Sequence, residues 1–162
     1  MFHVEQSDIE LIKVSALTVW QPWASLIMIG AKPYEYRRWP APRSKHGHRI
    51  VIHAGARRVN LKEVRYLIWQ IGRDKEAAGG IGEAALPLLE RLLREEVTLP
   101  LGVGLGTAVL GEPVKASALY PDSERVDHHM WGWPLSNPRT FEPVIPCRGF
   151  QGFWPWPWKV AA

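Results

Sequence analysis

The chain has 162 residues, of which 46% are hydrophobic and 22% charged, with a formal net charge of +4 and one cysteine. This length suits one domain with its own core, or one domain with a long insertion. The single cysteine excludes an internal disulfide, and no apolar run is long enough to cross a bilayer. The acid-containing N-terminus does not match a signal peptide, so a cytoplasmic location is expected.

The first predicted elements lie between residues 14 and 55, after a loosely attached lead-in of mixed polarity at residues 1–12. A strand is predicted near 14–20, and Pro22 then stands where a proline opens a helix. Trp23, Leu26 and Ile27 share one face of this helix, which Gly30 ends. A basic loop at 39–48 leads into RIVIHAG, residues 49–55, a β-branched run that predicts a buried strand.

The second half of the chain predicts helices first and strands afterwards. Asn60 offers an N-cap, with Glu63 at capping-box spacing, for a helix that continues to Gly72. Pro87 can open a further helix, and residues 73–96 are interpreted as a helical insertion. Residues 102–114 predict a long strand whose glycines allow a bend or a close approach. A polar loop, 117–130, and short extended pieces broken by proline complete the chain.

Positive charge is concentrated in one segment. Ten of the twenty Lys and Arg lie between Lys32 and Arg65, against two of the sixteen Asp and Glu, so this segment carries +8 and the remainder −4. Clustered cations attract polyanions, because phosphates release counterions when they are neutralised. A solvated basic surface is the alternative.

The most unusual chemistry follows the first helix, in the pattern G-x-K-x-x-E-x-R formed by Gly30, Lys32, Glu35 and Arg37. In an extended chain Glu35 and Arg37 share one face. Lys32 is a candidate base, a clamp for a phosphate, or a surface lysine paired with Glu35. Glu35 either orients Lys32, accepts hydrogen bonds from a base, or pairs with Arg37, whose fork suits a phosphate.

Two stretches together resemble the ASCH family. The first is QPWASLI followed by G-x-K-x-x-E-x-R-x-W-P, and the second is a C-terminal pattern. The residues of the second are Leu135, Asn137, Pro138, Pro146, Gly149, Gln151, Gly152 and Trp154. The resemblance implies an α+β, mainly β fold: a small PUA-like β-barrel with helices packed at its ends. It also implies a single domain over residues 1–162, with a core at 13–158, and a cleft lined by Lys32, Glu35 and Arg37 that is suspected of binding RNA.

Ser136 is a candidate nucleophile if the closing strand brings it to Lys32, although Ser136–Asn137–Pro138 also suits a turn. The tentative catalytic set is therefore Lys32, Glu35 and Ser136. The remaining candidates for binding RNA are cations, aromatic groups and polar groups on the same segments. They are Arg37, Trp39, Arg43, Lys45, His53, Arg57, Arg58, Asn137 and Arg139.

Metal and cofactor sites are not expected. His46, His48, His53, His128 and His129 invite a metal hypothesis, but no carboxylate or cysteine stands nearby at ligand spacing. His53 is expected to make a core hydrogen bond or to line the cleft. No phosphate-loop pattern is present. Most of the nine tryptophans are expected to be structural, and those near the basic segment and in the tail are candidates for base stacking.

Three functions remain open from the sequence. The first is an RNA-binding domain that grips a single strand or a modified nucleotide. The second is a hydrolase in the same cleft, acting on RNA or, as in some amidohydrolases of the wider family, on acylated cytidine. Those amidohydrolases tend to carry threonine where this chain has Glu35, and Pro33 after Lys32 is unusual for them. The third is a protein-interaction module that uses the aromatic tail. The oligomeric state is not predicted.

Overall fold

The structure, a computed structural model, describes residues 8–74, 76–122 and 129–162. The strands in this part of the chain are β1 (Leu11–Ile12), β2 (Ser15–Val19), β3 (Tyr34–Arg37), β4 (Arg49–Ala54), β5 (Val103–Leu110), β6 (Val114–Lys115), β7 (Trp131–Pro146), β8 (Phe153–Pro155) and β9 (Val160–Ala161). The helices are α1 (Trp23–Met28), α2 (Leu61–Arg73), α3 (Leu86–Leu93) and α4 (Ala116–Leu119). No helix in these ranges is long and apolar enough to cross a membrane.

One sheet organises the molecule. Its strand order is β3-β7-β5-β4-β2-β8, with β6 also paired to β7, and a separate antiparallel pair joins β1 to β9. The pairs within the large sheet are antiparallel except for β2 and β4, which are parallel. Parallel strands need a crossover connection, and the chain between β2 and β4 supplies it with α1 and β3.

The sheet curls until its two edges face each other. Trp133 of β7 stacks on Phe153 of β8 with ring centroids 5.5 Å apart, although three strands, β5, β4 and β2, lie between β7 and β8 along the sheet. Arg37 of β3 donates from Nη2 to the Thr18 carbonyl of β2 over 3.2 Å. In the described residues these edges are joined by side chains rather than by a strand ladder. The result is a half-barrel whose remaining side is available for a site.

Hydrophobic residues cover both faces of the sheet. Alternate residues of β2 and β4, among them Leu17 and Ile52, fill the concave interior with Trp133. A second cluster packs α1, α2 and α3 together, so the region predicted as an insertion shares a core with the first helix. Trp154 and Trp156 of the tail are buried on the outer face of the sheet. The tail is therefore structural at these two positions.

The sequence predictions for α1, α2, α3 and β4 are confirmed, whereas α4 occupies the start of the stretch 117–130, which was predicted as a polar loop. Pro22 precedes α1, Gly30 follows it with φ +78°, and Pro87 lies in the first turn of α3. The glycines of β5 permit a close approach, because a Cβ on Gly104 would lie 2.4 Å from Cη2 of Trp156. The lead-in prediction is wrong for Leu11 and Ile12, which pair with β9, whereas residues 1–7 lie outside the described part.

The prediction of short pieces broken by proline is wrong for β7, which runs for 16 residues. Its pairing with β5 is irregular at two places, one between Ser136 and Arg139 and one between Thr140 and Ile145. Pro138 and Pro143 lie inside these irregularities, where a missing N–H removes no ladder hydrogen bond. Bulges therefore let one strand carry prolines that the sequence alone suggests as breaks.

The N-terminus of α2 gives a test of the fold. The Asn60 side chain accepts a hydrogen bond from the Lys62 N–H at 2.9 Å, while Glu63 pairs with Arg57 instead of completing a capping box. We expect Asn60→Ala to lower the free energy of unfolding by about 1 kcal/mol in urea denaturation, since a helix N–H loses its acceptor. Asn60→Ser keeps an acceptor and is expected to stay near wild type; equal losses in both variants would contradict the capping role.

Candidate functional site

The open side of the half-barrel contains a cleft of about 910 Å³. It lies between β3, one edge strand of the sheet, and the C-terminal end of β2, which is the neighbour of the other edge strand, β8. The segment before β8 forms a third wall. The lining residues are Thr18, Val19, Trp20, Trp23, Lys32, Glu35, Tyr36, Arg37, Trp39, Phe150, Gln151 and Gly152.

Lys32, Glu35 and Arg37 form a connected charge cluster in this cleft. The Lys32 Nζ lies 3.1 Å from Glu35 Oε2, and the Arg37 Nε lies 3.2 Å from Glu35 Oε1, so the carboxylate bridges the two cations. Lys32 also donates to the Tyr34 carbonyl, and Arg37 to the Thr18 carbonyl. The cluster keeps a net charge of +1, and Nη1 of Arg37 has no hydrogen-bond partner among the described residues. This nitrogen is available to an anionic ligand.

The charged residues differ in burial. Lys32 is 6% exposed, whereas the side chains of Glu35 and Arg37 retain 12% and 23% of their accessible area. Helix α1 explains the position of Lys32, because its backbone N–H bonds to the Leu26 carbonyl and fixes the chain just beyond the helix. Gln21 in turn anchors the start of α1 through Ser25 and the Pro100 carbonyl. The floor of the cleft is therefore set by the first helix.

Aromatic rings surround this floor. Trp20, Trp39 and Phe150 line the cleft, and each is more than half exposed. The guanidinium of Arg57 lies 4.2 Å from the centroid of the Trp20 ring, and its fork pairs with Glu63 at 2.7 Å. Exposed aromatic rings that line one cleft are suited to stacking on a flat ligand.

The third wall of the cleft rests on buried His53. A Cβ on Gly149 would lie 2.6 Å from Cε1 of His53, so only glycine lets the chain pass this close before Phe150. The Trp154 Nε1–H donates to the Thr18 hydroxyl over 3.1 Å. That hydroxyl lies 3.1 Å from His53 Nδ1, and His53 Nε2–H donates to the Cys147 carbonyl. This chain of hydrogen bonds suits a neutral imidazole.

The pKa of His53 is lowered by burial, a shift that the Cys147 carbonyl partly offsets. A lowered pKa means that the unfolded chain binds the proton more readily, so stability is complete above the unfolded value of about 6.5 and falls on acidification below it. We expect the melting temperature to fall between pH 7.5 and 5.5, and to fall less in His53→Gln, which does not titrate there. Parallel pH dependence in the two proteins would contradict this.

The structure brings together some of the predicted site residues. Lys32, Glu35, Arg37 and Trp39 share the cleft, and Arg57 approaches it through Trp20. Lys45 lines a different hollow. Placed outside the cleft are His53, which is 1% exposed, and the exposed residues Arg43, Arg58, Ser136, Asn137 and Arg139.

Ser136 is not brought to the Lys32 cleft. Leu135 faces the core, and the next residue of the strand points to the opposite face. Asn137 has φ +48° within the first irregularity of β7 and gives its carbonyl to Arg49, while Arg139 donates to the Ala162 carbonyl. Asn137 and Arg139 therefore hold β7 to Arg49 and to the C-terminal residue, and do not contribute to the cleft.

Sequence reasoning missed Thr18, Phe150 and Gln151 as lining residues. The signal for Phe150 was its position between Gly149 and Gly152, because two glycines around an exposed aromatic residue indicate a tightly placed loop. In the described ranges, no three His, Cys, Asp or Glu side chains are grouped to hold a metal ion; His128 lies outside them.

The half-barrel, the helices packed together beside it and the charged cleft define a small, mainly β domain. The family model of the ASCH domain matches residues 17–144, and the chain belongs to this family. The predicted family and fold are confirmed.

Among solved structures, ASCH from Zymomonas mobilis and two single-residue mutants of it are similar to this chain. Each is 16% identical, with a TM-score of 0.44, and each comparison covers 83% of this chain. The comparison covers 73% of the unmutated protein and 74% and 76% of the two mutants. A comparison with curated proteins gave no match.

Proposed function

We propose that the cleft binds single-stranded RNA or a modified nucleotide. The observation that carries this proposal is the combination of three exposed aromatic rings, Trp20, Trp39 and Phe150, with the cationic floor formed around Lys32 and Arg37. Stacking on aromatic rings and cationic contacts to the backbone are the two interactions by which proteins hold single strands. A volume of about 910 Å³ accommodates a nucleotide-sized ligand.

Different walls of the cleft would contact different parts of a nucleotide. Arg37 lies on β3, and its Nη1, which has no hydrogen-bond partner in the described part of the chain, is placed to contact a phosphate. Glu35 already uses both carboxylate oxygens, so its first role is to hold Lys32 and Arg37 in position. The rings of Trp20 and Phe150 stand on the other two walls, where they can contact the faces of a base.

The test measures binding of labelled single-stranded oligoribonucleotides to the full chain by fluorescence anisotropy, at several salt concentrations. We expect saturable binding that weakens linearly in log–log plots as salt rises, because bound phosphates release counterions. An affinity that does not depend on salt, or no binding at low salt, would overturn the proposal.

The hydrolase alternative is favoured by one observation, the nearly enclosed Lys32 amine fixed by Glu35 inside a ligand-sized cleft. The Tyr36 hydroxyl, which lines the cleft, is a poor nucleophile because it donates to the Gly79 carbonyl. Burial, reinforced by the Tyr120 hydroxyl, also raises the pKa of Tyr36 and opposes its ionisation. A hydrolase in this cleft would therefore not use Tyr36 as its nucleophile.

One experiment separates the two functions. RNA and acylated cytidine are incubated with wild type and with Lys32→Ala, and products are separated by chromatography. Binding alone predicts no turnover with either substrate, whereas a hydrolase predicts product that disappears in Lys32→Ala while the variant keeps the wild-type circular dichroism spectrum.

A further inference from the structure

A second hollow, of about 610 Å³, lies at the opposite end of β2 from the cleft. It is formed where the parallel strands β2 and β4 begin, since Ser15 opens the first and Arg49 the second. The turn containing Ser44 and Lys45 forms one wall, and β8 forms another. We call this feature the basic hollow.

The titratable groups that line the basic hollow are all basic. Lys13, Lys45, His48 and Arg49 line it, together with the hydroxyl-bearing residues Ser15 and Ser44, and no lining residue is acidic. Lys45 Nζ lies 2.7 Å from Ser15 Oγ, so the ammonium is placed by a neutral partner. Cations and hydroxyls without carboxylates form a donor set that suits a phosphate group.

Arg49 is the most informative of these residues. It is only 8% exposed, and its Nη1 donates to the Thr107 hydroxyl at 3.2 Å and to the Asn137 carbonyl at 2.9 Å. Both acceptors are neutral, and no carboxylate pairs with Arg49 among the described residues. Burial, together with the positive charge of Arg139, lowers the pKa of Arg49. A buried guanidinium without an anion is costly, and a bound anion would offset that cost.

We propose that the basic hollow is a phosphate-binding site in which Lys13, Lys45 and Arg49 hold one phosphate group. The site does not depend on what the cleft binds. Two sources carry this chemistry: a free phosphate or small phosphorylated molecule, and a backbone phosphate of an RNA that also enters the cleft. In the second case the RNA runs alongside β2. Because a β-strand rises about 3.3 Å per residue, the length of β2 separates the two sites by a distance that a few nucleotides can span.

The first arm of the test titrates isotope-labelled full chain with inorganic phosphate at constant ionic strength, followed by NMR. We expect saturable shifts in the backbone amides of Lys13, Ser15, Ser44, Lys45 and His48. The double variant Lys13→Gln/Lys45→Gln is expected to bind phosphate at least about tenfold more weakly, since two charge-assisted contacts are lost. The matched control Lys62→Gln/Lys115→Gln removes the same charge from exposed positions outside both sites and is expected to match wild type.

The second arm replaces phosphate with a short single-stranded oligoribonucleotide. If RNA supplies the phosphate, the same amides shift, inorganic phosphate competes at these amides alone, and the double variant lowers the salt slope by about 0.7 per lost phosphate contact. Saturable shifts with inorganic phosphate but none at these amides with RNA identify a free phosphate ligand.

Two results would overturn the proposal: no saturable shift with either ligand, or equal weakening by the two double variants. RNA that shifts only Trp20, Trp39 and Phe150 in the absence of phosphate binding would leave the cleft proposal standing and remove this one. Phosphate binding without any effect of RNA on the cleft would support the phosphate site in the basic hollow and remove the proposal that the cleft binds RNA.

Discussion

Replacing Arg37 by glutamine is expected to weaken binding of single-stranded RNA by about 10- to 100-fold at low salt. A hydrogen bond to a charged group contributes roughly 1.5–3 kcal/mol, and Arg37 lines the cleft with an Nη1 that bonds to none of the described residues. The loss of one phosphate contact also lowers the slope of log affinity against log salt by about 0.7. Anisotropy titrations at a series of salt concentrations measure both quantities.

The next residue in the chain provides the matched control. Arg38 is exposed and does not line the cleft, so Arg38→Gln removes the same charge one position away. We expect less than a threefold loss from this variant, because distant surface charges are screened. Equal losses from the two variants would mean that RNA responds to net charge and not to the cleft. Melting curves check that the loss of the Arg37–Glu35 pair leaves the fold intact.

Local signals in the sequence were sufficient for the helices and for the strand at the centre of the sheet. Pro22, Gly30 and Asn60 act within a few residues of themselves, so their effect is readable without tertiary structure. β4 is buried on both faces, and its unbroken apolar run is the expected consequence. β7 could not be read in this way, because Pro138 and Pro143 are tolerated only where the pairing with β5 is irregular, which the sequence of β7 does not show.

The charged part of the cleft could also be predicted from the sequence, because its residues are close together in the chain. Lys32, Glu35 and Arg37 are close in sequence, so the geometry of one strand brings them together. Phe150 and Gln151 lie near these residues only because the sheet curls and brings β3 close to the segment before β8. This contact joins residues far apart in sequence, so no local pattern predicts it. Ser136 was predicted to approach Lys32 because it stands among polar residues near the C-terminal motif. Side chains alternate along β7, however, so Leu135 points toward the interior and Ser136 away from it.

Replacing Trp39 by alanine is expected to weaken RNA binding by about 5- to 150-fold, since stacking of one base on an aromatic ring contributes roughly 1–3 kcal/mol. The Trp39 side chain is 55% exposed. The hydrogen bond between Trp39 and the rest of the fold is made by its backbone carbonyl, which accepts from Trp133 Nε1 at 3.0 Å. Truncation should therefore remove the ring and keep this hydrogen bond. The affinity is measured by the same titrations, and the salt slope should not change.

Trp69 is the matched control for Trp39. It is 44% exposed on α2, stacks on Tyr66 with centroids 5.7 Å apart, and does not line the cleft. If the cleft holds the base, Trp69→Ala keeps wild-type affinity, while Trp39→Ala loses affinity at every salt concentration by the same factor. Arg37→Gln, in contrast, loses most at low salt. A Trp39 effect that vanished at high salt, or an equal effect from Trp69, would show that the ring does not stack on the ligand, because stacking does not release counterions.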